Sequence, residues 1–196
     1  MKDNLKIAVI GCGGIGSYFI RSLSEMVKRD LSGFSRINPM AIDLFDYDKV
    51  EEKNLLYQNF DIEDLDKNKA EVLADRTGYK AIKCKVENVA QLRDYGFIVL
   101  CVDNNKIRNI IYDSELPFLD LRANGKTIMA YLTQKEDKEY FELTKDNGQK
   151  GSCQRAEDIE ERHIQLGHKI IAEIGLQFLV DYLREEIKTK KLIMTI

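Results

Sequence analysis

Apolar residues in this chain gather into short unbroken runs, and the runs are separated by stretches in which they recur at helical spacing. Lys6 to Ile10 is the first run and stops at a cluster of glycines; Gly14 to Lys28 follows with the periodicity of an amphipathic helix, and Met40 to Phe45 is a second run. The alternation continues with a helix over Lys67 to Arg76, strands over Ala81 to Lys85 and Phe97 to Val102, and a helix over Lys106 to Tyr112. Strands apolar throughout, set between helices, predict a mainly parallel sheet with helices on both faces.

Beyond Pro117 the pattern changes. Phe118 to Arg122, Thr127 to Leu132 and Tyr140 to Leu143 predict short antiparallel strands, the first two joined through Asn124-Gly125. A polar stretch from Thr144 to Asp158, with Gly148 and Gly151, predicts an exposed loop or lid. A long final helix is expected from Ile159 to Lys188. It has two apolar stripes, one through Gly167, Ile171, Ile174, Phe178 and Tyr182, the other through Leu176, Leu179, Leu183 and Ile187. Such a helix is buried in its own domain or shared with a second subunit. The fold class expected is α/β, with antiparallel C-terminal strands and one domain over residues 1–196.

Composition narrows the function. With 196 residues, 44% of them hydrophobic, the chain can bury one good core. Its net charge of -3 comes from interleaved acids and bases, which leaves no basic stripe for nucleic acid. Lys2, Asp3 and Lys6 precede a short apolar strand, so neither a signal peptide nor a membrane span is read there, and a cytoplasmic location is expected. Cys12, Cys84, Cys101 and Cys153 form no CxxC pair, so no zinc ribbon or disulfide framework is suggested. His163 and His168 lie five apart and do not share a helix face as a metal pair would; both are read as solvated or packing residues.

The candidate chemistry starts at Ile7-Ala8-Val9-Ile10-Gly11-Cys12-Gly13-Gly14-Ile15-Gly16-Ser17. Gly11, Gly13, Gly14 and Gly16 allow a tight turn, bare backbone against a phosphate, and close packing of helix on strand. The helix that follows aims its unpaired N–H groups and positive dipole end at the turn. This pattern fits nicotinamide and flavin dinucleotides as well as ATP. Asp46, at the end of the second strand, suits ribose hydroxyls, although it lies farther from the glycines than usual, which implies a long connection over Asp30 to Asn38. Plainer roles exist for each residue: Asp46 and Asp48 as turn caps, Lys69 as a solvated lysine, Asp103 as a helix N-cap.

Four motifs in register, GCGGIGS, DYDKVEEKNLLYQNF, KNKAE and VDNNKIRN, resemble the ThiF family of adenylating enzymes, relatives of ubiquitin-activating enzymes. The resemblance covers about residues 5 to 132 and implies a Rossmann-like fold. It implies ATP at the glycine loop and attack by a partner's C-terminal carboxylate on the α-phosphate, giving an acyl-adenylate and pyrophosphate. It places Asp46 on the ribose with Asp48 in support, Lys69 on the phosphates, magnesium on Asp103, and Asn54 and Gln58 on the phosphates or the incoming carboxylate. Arg108 would buttress Asp103 or the phosphates. The partner implied is a small ubiquitin-like or sulfur-carrier protein, and the assembly a homodimer.

The chain departs from the family pattern at Tyr57, where an arginine is expected; Lys53, Arg21, Arg76 and Arg122 are the candidate substitutes. Cys153 lies about where relatives carry a reactive cysteine, and Lys150 and Arg155 nearby would favour its thiolate. Two other readings stay open: a nucleotide-binding scaffold with reduced catalysis, and a nicotinamide-dependent oxidoreductase.

Overall fold

The computed structural model describes residues 5–29, 41–112, 114–133, 153–154 and 156–196. Tyr140 to Leu143 and Asp30 to Asn38, for which a strand and a long connection are expected, lie outside them.

Strand β1 (Ile7–Ile10) leads through the glycines into α1 (Gly14–Lys28), and β2 (Ile42–Phe45) follows. Two 3-10 turns, Glu52–Leu56 and Ile62–Asp64, precede α2 (Lys69–Thr77) and β3 (Lys80–Ile82). A third 3-10 turn, Val89–Leu92, leads to β4 (Phe97–Leu100) and α3 (Asn105–Tyr112). The hairpin β5 (Phe118–Asn124) and β6 (Thr127–Thr133) comes next, then α4 (Ala156–Glu160), α5 (Gly167–Arg184) and β7 (Lys191–Thr195).

The seven strands form one sheet in the order β3-β2-β1-β4-β5-β6-β7. The first five are parallel, and β6 and β7 are antiparallel additions. Strand β5 was expected in the antiparallel part; it pairs parallel to β4 and antiparallel only to β6. The order reverses between β1 and β4. Ligands in open α/β sheets bind outside the carboxyl ends of the strands at such a switch point.

Alternation along the strands sorts the core into two layers. Ile7, Val9, Leu44, Phe97 and Val99 pack under α1, α2 and α5, whereas Ala8, Ile10, Phe45, Ile98 and Leu100 face α3 and the segment around Leu92 and Tyr95. The single long final helix is corrected to two. Arg162, at a φ of 57°, takes the chain out of α4, and the polar run Glu160 to His163 has no apolar stripe to bury. Glu185, at a φ of 61°, caps α5 three residues before the expected end at Lys188. Ile171, Ala172, Leu176, Phe178, Leu179 and Leu183 of α5 are buried within the chain itself. The apolar surplus that suggested sharing this helix with a second subunit is therefore consumed in the protomer's own core.

Candidate active site

The glycine loop begins with Gly11 at a φ of +94°, a conformation that side chains resist. A Cβ on Gly16 would sit 1.9 Å from the carbonyl oxygen of Gly11, so α1 folds back against the loop only because that side chain is missing. The first helical bond runs from Ser17 N–H to the Gly13 carbonyl at 2.9 Å, which leaves the earlier amides of α1 facing the turn.

Asp46, just past β2, fastens this turn. Its Oδ2 accepts from Cys12 N–H at 2.7 Å and its Oδ1 from Asp48 N–H at 2.8 Å. Burial pushes its carboxyl pKa above the ordinary value, opposed by those two amides and by the charge of Lys69. Asn68 completes the latch: its Nδ2 donates to the carbonyls of Asp46 and Asp48, both at 3.1 Å, while its Oδ1 caps α2 by accepting from Glu71 N–H. Asn68 was not singled out in the sequence as a positioning residue, although a capping-type residue directly before an apolar helix is a legible signal.

A cleft of about 1130 Å³ opens at the switch point. Gly11, Gly13 and Gly14 line it on one side, Asp46, Asp48, Asn54, Gln58 and Lys69 on a second, and Asp103, Arg108 and Cys153 on a third. Gly16 lies behind the loop, in its packing. Lys69 is only 8% exposed, yet its ammonium makes no ion pair among the described residues. A buried cation left in that state at the edge of a cleft is a seat for an anion. Gln58 is buried beside Gly13, and its Oε1 has no hydrogen-bond partner. Asn54 spends its Oδ1 on Glu51 N–H at 3.0 Å, closing the 3-10 turn that carries Gln58 and Tyr57 to the cleft.

Asp103 is exposed just beyond β4. Arg108 does not pair with it. The Arg108 guanidinium is buried and gives its Nε to both oxygens of Asp120 at 3.1 Å, one terminal nitrogen to Asn105 Oδ1 at 3.0 Å, and the other to the carbonyl of Val102. It braces the strand end that presents Asp103. Asp120 was missed in the sequence; the signal was a lone acid between Leu119 and Leu121 in an apolar run, which has to find a cation.

Cys153 lies against the start of α1: a Cβ on Gly14 would come within 2.4 Å of its Sγ. Burial pushes its thiol up to about 11, opposite to the lowered value expected from Lys150 and Arg155, two residues outside the described ones. A buried latch holds this segment down. Gln154 Nε2 donates to the Gln165 carbonyl at 2.7 Å and meets His168 Nδ1 at 3.0 Å, while Gln154 Oε1 accepts from Gln165 N–H at 2.9 Å. His168 is fully buried and its rings-on-ring neighbours are Tyr18 and Tyr57; His163 is exposed. Both readings of the histidines, packing and solvated, thus apply, one to each.

Among the described residues there is no cluster of three or more metal-ligating side chains, and no helix is long and apolar enough to cross a membrane. The chain is 30% identical over 130 residues to the NEDD8-activating enzyme E1 catalytic subunit of Arabidopsis thaliana, a match covering 61% of this chain and 26% of that protein. Its fold matches E. coli MccB, solved with ATP, at a TM-score of 0.67 and 18% identity, over 99% of this chain and 62% of the other. It also matches PaaA at 0.67 and 19% identity, over 98% and 69%. The chain thus spans about a quarter of the curated relative's length and less than two thirds of MccB's. The model of the ThiF family matches residues 3–160, and the chain belongs to that family.

Proposed function

We propose that this chain is an ATP-dependent adenylyltransferase that activates the C-terminal carboxylate of a small protein, of ubiquitin-like or sulfur-carrier type. The observation that carries the reading is the convergence of a glycine-rich helix start, a buried Lys69 with no ion pair among the described residues, and the strand-end carboxylates Asp46 and Asp103 on one cleft. Similarity to an E1 catalytic subunit that activates NEDD8, and the fold shared with a protein solved with ATP, support it.

ATP fits the residues present: the glycines let the loop pack tightly on β4 and the start of α1 with bare backbone along the cleft, and Lys69 and the α1 amides offer the phosphates positive charge. Asp46 takes the ribose hydroxyls on the oxygens that already hold the loop, with Asp48 in support. The partner's carboxylate oxygen forms a bond to the α-phosphorus as the bond from that phosphorus to the β-bridging oxygen breaks, and pyrophosphate leaves with the electron pair. Lys69 offsets the charge that grows on the phosphates, and Gln58 and Asn54 orient the reactants by neutral hydrogen bonds. A magnesium ion, held by Asp103 and phosphate oxygens, would neutralise further charge; one carboxylate is a sufficient protein ligand for it. Arg108 positions that carboxylate through Val102 and Asp120. Cys153 would act in a later step, in which its thiolate bonds to the carbonyl carbon of the acyl-adenylate as the bond from that carbon to the phosphate oxygen breaks and AMP leaves; the thiol must first lose its proton.

Pyrophosphate exchange into ATP with the native partner tests the assignment. Asp103→Ala should abolish it, and unchanged exchange in that variant refutes the role. Tyr57 favours a second reading, a nucleotide-binding scaffold with weakened catalysis; calorimetric ATP binding without turnover for any partner would select it. We further place the protein in the cytoplasm, in keeping with four free cysteines, and as a homodimer. Support for pairing now comes from the edge strand β7 and its exposed Ile193 and Met194; a monomer in sedimentation velocity at micromolar concentration removes it.

A further inference from the structure

A polyphosphate carries several negative charges, and Lys69 with one helix terminus is a modest counterweight. The position where a second cation is expected, residue 57, is a tyrosine, and it is turned inward. Tyr57 is 7% exposed, its ring lies 3.6 Å from where a Gly14 Cβ would be and edge-on to His168 at 6.1 Å. It lines the cleft beside the start of α1, almost wholly buried, and supplies no charge.

The candidate substitutes separate cleanly in the structure. Arg21 is on the exposed side of α1 beside Glu25 and the Tyr18 ring. Arg76 is spent on the Asn59 carbonyl, Asp61 and Asp64. Arg122 lines the cleft but is ion-paired to Asp120, as Arg108 is. Lys53 lines the same cleft on the 3-10 turn Glu52–Leu56, next to Asn54, and is 59% exposed. Among the described residues its Nζ pairs with Glu51, itself exposed, at 2.5 Å, and an exposed pair of that kind exchanges readily for a stronger anion. Its charge is already felt at Tyr57, and that of Asp48 at Lys53, so it lies within the electrostatic reach of the site.

We propose that Lys53 is the second phosphate-binding cation of the cleft, resting on Glu51 and transferring to the β- and γ-phosphate oxygens of ATP. The inference rests on the ATP reading above. It makes Tyr57 a packing residue and moves the missing charge four positions back along the same turn.

Calorimetric titration of ATP and of AMP into the full chain and its variants tests it. Lys53→Ala should weaken ATP binding by about tenfold and leave AMP binding unchanged, and Lys53→Arg should restore most of the ATP affinity. Glu51→Ala, which removes the resting partner, should bind ATP as well as the wild type or better. If Lys53→Ala binds ATP like the wild type while Lys69→Ala does not, Lys53 has no such role and the ATP reading stands. Equal loss of AMP and ATP affinity in Lys53→Ala, or weaker ATP binding in Glu51→Ala, also overturns the role. If the wild type binds neither nucleotide, the ATP reading falls and this inference with it.

Discussion

At the scale of single residues, the cleft shows how little of a side chain's chemistry is decided by its type. Cys153 packs against Gly14, where burial pushes its thiol pKa up to about 11. The expected outcome is alkylation by iodoacetamide with a midpoint near that value; a midpoint below the ordinary thiol range, followed by mass spectrometry of the Cys153 peptide, would show an activated thiolate instead. Asp46, Lys69 and Asp103 were legible in the sequence because each stands at a strand end or helix start, where topology alone brings groups to the switch point. The position of Arg108 on the cleft was legible in the sequence; its pairing with Asp120 was not. The choice of Asp120 over Asp103 depends on which acid is buried beside it, and that is decided by the neighbouring strand β5, far along the chain.

At the scale of elements, the join between β2 and α2 depends on Asn68. It caps the helix and ties two carbonyls of the segment that presents Asp46. Asn68→Ala should cost about 1–2 kcal/mol in urea unfolding, the range of a lost N-cap with unmet backbone groups, and it should loosen the Asp46 segment as well; an unchanged midpoint would show the cap to be idle. Elements built on apolar runs, β1, β4 and α1, were predicted nearly to the residue. The division of the last helix was not, because Gln154, Gln165 and His168 meet through a buried contact that no local periodicity records. The role of residues 191–195 was equally hidden: an exposed, half-apolar strand such as β7 acquires its identity from the β6 edge it covers.

At the scale of the whole molecule, the same latch sets an acid limit. His168 is fully buried and its pKa is lowered by burial to about 4 from 6.5. The unfolded chain therefore binds a proton that the folded one refuses between those values, and stability present above pH 6.5 is lost as the pH falls towards 4. The slope approaches about 1.4 kcal/mol per pH unit from this group, on the order of 3 kcal/mol in all. Denaturant midpoints across that range should show the loss, and His168→Gln should flatten it; an equal slope in both proteins would assign the acid sensitivity elsewhere.

The sheet's outermost strand has a practical bearing. Ile193 stands on the cleft wall, and Ile196 donates its amide to the Lys126 carbonyl at 3.1 Å, in the hairpin turn next to cleft-lining Asn124 and Thr127. A bulky label on residues 193–196 would therefore stand at the mouth of that cleft. Handles for immobilisation or labelling belong away from this edge, for example at Arg21 on the exposed side of α1.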